Sequence, residues 1–182
     1  MNKNYENANV VSVAGVMAKM NKVNTFEEDY YENIPYEDRE DVKQLLWKLA
    51  VWGNADAAYE LYNLYINGYF GKITDEESTK YLRKAANLGH PNALFVLGMS
   101  LMSQPSTIDM FNYAAKAIEE SARKGCVLAE GVMSVLVADG KTAKRWRKKA
   151  IKHGCPSEGI EIIENVLFVP LLMFGHPSSI RG

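Results

Sequence analysis

Side chains that could carry out chemistry are few in this chain of 182 residues, and they follow no catalytic or metal-binding pattern. The histidines are His90, His153 and His176, and the cysteines are Cys126 and Cys155. The sequence has no HExxH, GxSxG or CxxC motif, which would bring a metal ligand, a nucleophile or a thiol pair within reach of its partners. Two of the histidines adjoin recurring glycines, so we interpret them as loop residues. We expect a protein without enzymatic activity, cofactor or metal.

Two weaker chemical signals have structural interpretations. Cys126 and Cys155 each follow a recurring glycine, and equivalent positions in stacked helices lie roughly 10 Å apart. A disulfide needs α-carbons within about 7 Å, so we expect two free thiols. Residues 140–142 read Gly-Lys-Thr, like the end of a phosphate-binding loop, but Val135 stands where that loop has its first glycine. We therefore interpret this segment as a turn between two helices.

Charge is unevenly distributed, although the formal net charge is only −1. Residues 26–41 are acidic, with interleaved aromatic side chains. Residues 141–152 carry basic side chains at helical offsets, so they share one face, with Ala143, Trp146 and Ala150 facing inward. This basic stripe fits either a solvated helix face or electrostatic steering of a partner, and it is weak support for nucleic-acid binding. The stripe consists of Lys141, Lys144, Arg145, Lys148, Lys149 and Lys152.

Neither end of the sequence predicts a membrane or export signal. The apolar segment at residues 10–17 is interrupted by Ser12 and Gly15, and the residues before it carry a single lysine. The apolar cluster at residues 167–174 is far shorter than the roughly 20 residues of a membrane helix. The sequence predicts a cytoplasmic protein without a membrane partner.

An internal repeat organises the chain. The pattern Ala-x-x-Gly recurs every 36 residues, from Gly53 to Gly89 and from Gly89 to Gly125, and a shortened unit of 29 residues ends at Gly154. Apolar residues at helical spacing and turn residues between them predict two helices in each unit. The predicted pairs are 57–67 with 76–88, 93–103 with 110–124, and 128–138 with 142–153. A preceding helix is predicted at 38–52, and a following one from Pro156. Small residues at Ala57 and Ala93 should be buried where helices cross.

The repeat resembles the Sel1-like family of tetratricopeptide-like solenoids. Residues 57–68 read AAYELYNLYING and residues 83–89 read RKAANLG, which are similar to the two helices of a Sel1-like unit. The family's Leu-Gly pair is kept at Leu97 and Gly98, whereas Tyr62 and Ser134 replace its glycine in the other two units. The resemblance covers roughly residues 38 to 168 and implies an all-α, right-handed solenoid.

The predicted organisation is one domain over residues 1–182. Residues 1–37 would form an N-terminal cap and acidic segment, residues 38–155 the repeats, and residues 156–182 a C-terminal capping helix and tail. We expect a break at Pro170, after which residues 171–174 fold over the last repeat. A homodimer contact through this tail is the alternative.

The resemblance also implies where a partner would bind. In this family's geometry, the first helix of each unit lines a concave groove, and the third unit offers Leu128, Gly131 and Val135 as a more open floor. Phe95 and Met99 could instead pack between repeats. Adding three residues of the basic stripe, the predicted partner-binding residues are Tyr59, Asn63, Asn67, Phe95, Met99, Met102, Lys144, Arg145 and Lys148.

The function implied is that of a protein-binding module. A short Sel1-like chain resembles immunity proteins that neutralise a cognate bacterial toxin or effector, and this inhibitor role is the leading hypothesis. The alternative is a regulatory adaptor or scaffold in a bacterial signalling or host-interaction assembly. An inhibitor should bind one partner tightly, whereas an adaptor should bind more weakly and less exclusively.

Overall fold

The computed structural model describes residues 39–70, 75–103, 105–178 and 180. Within these ranges the chain forms eight α-helices and no β-strand. They are α1 (Arg39–Val51), α2 (Ala55–Ile66), α3 (Asp75–Asn87), α4 (Pro91–Ser103), α5 (Ile108–Arg123), α6 (Val127–Leu136), α7 (Gly140–Lys152) and α8 (Ser157–Phe174). The all-helical solenoid predicted from the repeat is confirmed, and the six paired helices begin and end within two residues of their predicted bounds.

The recurring glycines end the second helix of each unit. Gly53, Gly89, Gly125 and Gly154 have φ between 82° and 99°, a left-handed conformation that residues with a Cβ rarely adopt. Each glycine N–H donates to the carbonyl three residues back, for example from Gly89 to Ala86. The period of 36 residues therefore marks the points at which the chain reverses direction.

From α1 to α7, each helix packs against the next one along the chain. The alanines predicted at helix crossings, Ala57 and Ala93, are fully buried, as is Ala129 in the third unit. One core cluster lies between α1 and α4 and contains Leu46, Leu61 and Leu64, with Leu82 of α3. A second lies between α4 and α8 and contains Met102, Phe111, Ile118, Leu136 and Leu167.

The C-terminal helix departs from the prediction. α8 continues through Pro170 to Phe174, so the expected break at that proline is wrong. Pro170 is buried, and burial of Leu167 together with partial burial of Leu171 and Phe174 compensates for the helical hydrogen bond that proline cannot donate. α8 packs chiefly on α6 and also reaches α4. The chain then attaches to the end of α6, where His176 Nδ1 lies 2.9 Å from the Leu136 carbonyl oxygen.

The predicted division at residues 37 and 155 stays a prediction. The N-terminal cap and almost all of the acidic segment lie outside the described residues. In the part of the chain that is described, no helix combines the length and hydrophobicity needed to cross a bilayer.

Candidate functional site

The first helix of each unit carries a row of side chains at equivalent repeat positions, and we call these rows together the first-helix face. On α2, Asn63 is half-buried, and Ile66 and Asn67 are exposed. Asn67 also closes the helix, since its N–H donates to the carbonyls of Asn63 and Tyr65. The α2 row consists of Asp56, Tyr59, Glu60, Asn63, Ile66 and Asn67.

The Tyr59 ring is held in place by the start of the next unit. It stacks on His90 with ring centroids 4.2 Å apart, and its centroid lies 5.8 Å from that of Tyr62. Partial burial raises the pKa of Tyr59 to about 12, so the hydroxyl stays protonated and can donate a hydrogen bond at neutral pH. A tyrosine that is oriented before binding loses little side-chain entropy when a partner covers it.

His90 has a structural task that the sequence analysis did not assign. The Ala93 N–H donates to Nδ1 of His90 at 3.2 Å, which caps the start of α4. The proton therefore sits on Nε2, which faces Asp56 Oδ1 at 3.6 Å. Burial lowers the pKa of His90, and Asp56 opposes that shift. The repeat could have indicated this capping role, because Asn54 lies 36 residues before His90 and caps α2 in the same way.

In the third unit the middle of the first-helix face is closed, although Leu128 at its start is 50% exposed. Gly131 stands 36 residues after Phe95 and 72 after Tyr59, and it is buried. A Cβ at Gly131 would lie 3.3 Å from Ile163 Cδ1 of α8. The expectation that Gly131 forms an open groove floor is therefore wrong, because α8 packs into the space that the missing side chain leaves.

The residues predicted on α4 contribute mainly to packing. Phe95 and Met99 are half-buried and contact the second core cluster, to which Leu167 of α8 belongs. Met102 is fully buried in that cluster. Its predicted role as a contact residue is corrected, since no part of its side chain can reach a partner.

The basic stripe lies on α7, which is the second helix of the third unit. Lys144, Arg145 and Lys148 are exposed on α7, which packs on α6, whereas α2 packs between α1 and α3. The structure therefore does not bring the stripe together with Tyr59 and Asn63. The Asp139 side chain accepts from the Thr142 N–H at 2.8 Å and so begins α7 where the Gly-Lys-Thr segment was interpreted as a turn.

A buried carboxylate was missed in the sequence. Glu130 is fully buried on α6, with Lys149 Nζ 3.0 Å from Oε1 and His153 Nδ1 2.8 Å from Oε2. The equivalent positions in the other units hold the apolar residues Ala58 and Leu94. A glutamate at this repeat position could therefore have indicated a buried carboxylate. These ion pairs connect α6 to α7. Because Lys149 is paired with Glu130, it is less available to a partner than the other residues of the basic stripe.

The described residues offer little else for chemistry. Among them, no group of three or more histidine, cysteine or acidic side chains is placed to hold a metal ion. Cys126 and Cys155 are free and buried, and burial raises the pKa of the Cys155 thiol, with Glu130 as a second cause. A buried protonated thiol is a poor nucleophile. The geometry of the described residues is that of a packed helical scaffold.

Comparison with known proteins finds similarity to a curated protein and to a solved structure. No protein-family model matches the sequence. The chain is 23% identical over 117 residues to an exopolysaccharide production negative regulator of Rhizobium leguminosarum bv. viciae. That match includes 64% of this chain and 44% of the regulator, so the chain spans less than half of that relative's length.

The crystal structure of a Sel1 repeat protein from Oxalobacter formigenes superposes with a TM-score of 0.56 and 26% sequence identity. The superposition covers 67% of this chain and 96% of the Oxalobacter chain. It agrees with the all-helical solenoid described above. The resemblance to the Sel1-like repeat family that the sequence indicated is therefore supported by a solved Sel1 repeat structure.

Proposed function

We propose that this chain is a non-enzymatic protein-binding module that holds a segment of a partner protein on the first-helix face of α2 and α4. One observation carries the proposal. The α2 row is exposed or partly exposed along its whole length, whereas the middle of the equivalent row on α6, at Gly131 and Val132, is buried, and Ile163 of α8 lies close to Gly131. A Sel1-like solenoid supports the same role, because repeat solenoids offer extended surfaces for binding other proteins.

The chemistry of the α2 row favours a polar peptide segment. Tyr59 offers a rigid ring with a hydrogen-bonding tip, and Asn63 and Asn67 offer amides that can pair with a peptide backbone. Asp56 and Glu60 make the row acidic, so basic groups on the partner would be attracted. Phe95 and Met99 would extend the contact with the apolar area that they leave exposed.

The basic stripe has a separate part in this proposal. Lys144, Arg145 and Lys148 are exposed, so their charges act at a distance and are screened by salt. They would raise the association rate of a partner with an acidic patch and add little to the lifetime of the complex.

A regulatory adaptor working in the cytoplasm is the role we favour, because the curated relative is a negative regulator. That relative extends beyond the matched region, so its activity is not transferred as a whole. Neutralisation of a cognate toxin or effector, the leading hypothesis from the sequence, remains a second proposal. The two roles differ in affinity, since an inhibitor needs nanomolar or tighter binding to a single partner.

The test compares three baits in one affinity capture from the native host. Wild type, Tyr59→Ala and the matched control Trp52→Ala are used, because Trp52 is a highly exposed aromatic residue outside the first-helix face. We expect a protein that is held by wild type and Trp52→Ala and lost by Tyr59→Ala. Its dissociation rate from purified Tyr59→Ala should rise by a factor equivalent to about 2 kcal/mol, unchanged by salt.

Two results would contradict the proposal. One is equal capture by wild type and Tyr59→Ala. The other is a partner whose binding depends on residues 171–174 instead. Reversing Lys144 and Lys148 to glutamate should slow association only, with an effect that shrinks as salt rises. A nanomolar affinity for one protein would favour the inhibitor role, and micromolar affinity for several would favour the adaptor.

A further inference from the structure

The outward side of α8 is apolar along most of its length. Four residues on one face, Ile162, Val166, Val169 and Met173, are 63%, 49%, 58% and 68% exposed. They follow one another at intervals of four, three and four residues, which places them in a single line along the helix. We call this line the outer seam. It faces away from the buried residues Ile160 and Leu167, so α8 is apolar on two opposite sides.

No charged side chain interrupts the outer seam. Phe168 and Leu172 extend its apolar surface on one side and are 60% and 69% exposed. Glu161 and Glu164 lie off this line, Glu164 pairs with Arg147 of α7 at 2.9 Å, and Glu158 lies on it one turn before Ile162, at the start of the helix. None of the described residues packs on the seam. At about 100 Å² for each, the six side chains expose on the order of 600 Å², the upper end for a monomeric protein.

The spacing of the seam makes it complementary to itself. Intervals of four, three and four read the same in both directions, and they match two heptads of a helix-pairing seam. When two copies of α8 lie antiparallel about a two-fold axis, Ile162 of one copy faces Met173 of the other, and Val166 faces Val169. The antiparallel arrangement also brings opposite ends of the two helix dipoles together.

We propose that a second copy of this chain covers the outer seam, with the two α8 helices packed antiparallel about a two-fold axis. The pairing would bury about 1,200 Å² in total, the lower end of the range for specific protein interfaces. α2 belongs to the first unit, whereas this contact uses α8, which follows the third unit. A dimer therefore presents two first-helix faces of α2. The proposal does not depend on what they bind.

Sedimentation equilibrium of the full-length chain at up to about 100 μM tests this proposal, a range that includes weak dimers. We expect wild type to be dimeric and Val169→Glu to be monomeric with an unchanged helical circular dichroism spectrum. Val169 is exposed, so the substitution does not disturb the core. Val51→Glu, at a similarly exposed valine at the end of α1, is the matched control and should remain dimeric.

A charge-pair variant tests the direction of the helices. In Val166→Lys/Val169→Glu, an antiparallel pair places each lysine opposite a glutamate, whereas a parallel pair places like charges together. The double variant should therefore regain association that Val169→Glu loses. A monomeric wild type would overturn the proposal, whether the seam is then covered by residues 1–38, by lipid or by another protein. A dimeric Val169→Glu, or a double variant that fails to associate, would overturn it as well.

Discussion

The first and third units differ in what covers their first helices. Tyr59 on α2 is half-buried against His90 and leaves the row open, whereas Gly131 on α6 is buried beneath Ile163 of α8. The two residues occupy the same position in repeats of one design, 72 residues apart. The comparison shows that the residue at this repeat position affects how closely another helix can pack on the first-helix face. Tyr59 leaves part of its ring exposed, and the glycine lets the chain's own last helix pack closely on α6.

Replacing Gly131 with phenylalanine, the residue of the second unit, should have the largest effect. The ring would occupy the space of Ile163 and Cys155, whose atoms lie 3.3 Å and 3.4 Å from an added Cβ. We expect α8 to detach and the free energy of unfolding to fall by about 3 kcal/mol, measured by urea denaturation. Limited proteolysis should then cut within α8.

Gly131→Ala is the matched control for this change. Its Cβ meets only the ends of side chains, which can move by a few tenths of an ångström, so the loss should be well below that of Gly131→Phe. If Gly131→Phe resists proteolysis and denaturant as well as Gly131→Ala does, α8 does not pack on α6 as described.

Gly98→Ala tests close helix packing away from α8. A Cβ there would lie 2.7 Å from Ile118 Cγ1 and 3.1 Å from the Ala114 carbonyl oxygen, so α4 and α5 would have to separate. We expect a loss of about 2 kcal/mol in unfolding free energy. Combining it with Ile118→Ala should cost less than the sum of the two single changes. Simple additivity would show that the two helices do not approach this closely.

The cap of α4 gives a smaller and pH-dependent effect. His90→Ala should cost about 1 kcal/mol because the Ala93 N–H loses its acceptor, whereas His90→Asn should keep the cap, as Asn54 does in the first unit.

Burial lowers the pKa of His90 in the folded chain, so the unfolded chain binds this proton more readily. The stability that neutral His90 contributes is present above the ordinary histidine pKa of 6.5 and is lost as pH falls below it. Wild type should therefore lose more stability than His90→Asn between neutral and acidic pH. Since His153 and His176 are common to both proteins, parallel denaturation curves would contradict this assignment.

The buried cluster at Glu130 should give the smallest change. Glu130→Leu, the residue of the second unit, should alter stability by no more than about 1 kcal/mol, because Lys149 and His153 are partly exposed and can regain water. Lys149→Ala should cost more, since it leaves a fully buried carboxylate with His153 as its remaining ion-pair partner. Thermal unfolding of the two variants in parallel checks this order, and the reverse order would contradict it.

Much of the fold follows from residues that act locally. The glycines at 36-residue spacing adopt the left-handed turn that their repetition predicts, and Ala57 and Ala93 are buried as expected. These features depend only on residues within one turn or one helix pair, so the local sequence pattern is sufficient to predict them. Tyr59 and Asn63 could be placed on the first helix of a unit for the same reason, and both side chains are partly exposed.

The remaining features depend on contacts between distant segments. A helix through Pro170 requires packing of Leu167 and Phe174 against α4, α5 and α6, which no local pattern shows. The burial of Met102 and the covering of Gly131 have the same cause, the position of α8. A glycine inside a helix was the available signal, because such a residue often marks the close approach of another segment.

The position of α8 over the second half of the repeats is the central claim, and one solution measurement tests it directly. In the structure, the Phe174 ring of α8 stacks on Phe111 of α5 with centroids 5.5 Å apart. In the N-terminal half, Tyr65 stacks on Tyr81 at 5.2 Å and provides an internal reference. A nuclear Overhauser spectrum of the full chain should show ring-to-ring cross-peaks for both pairs at comparable intensity. A spectrum with Tyr65–Tyr81 cross-peaks and none between Phe111 and Phe174 would contradict the account.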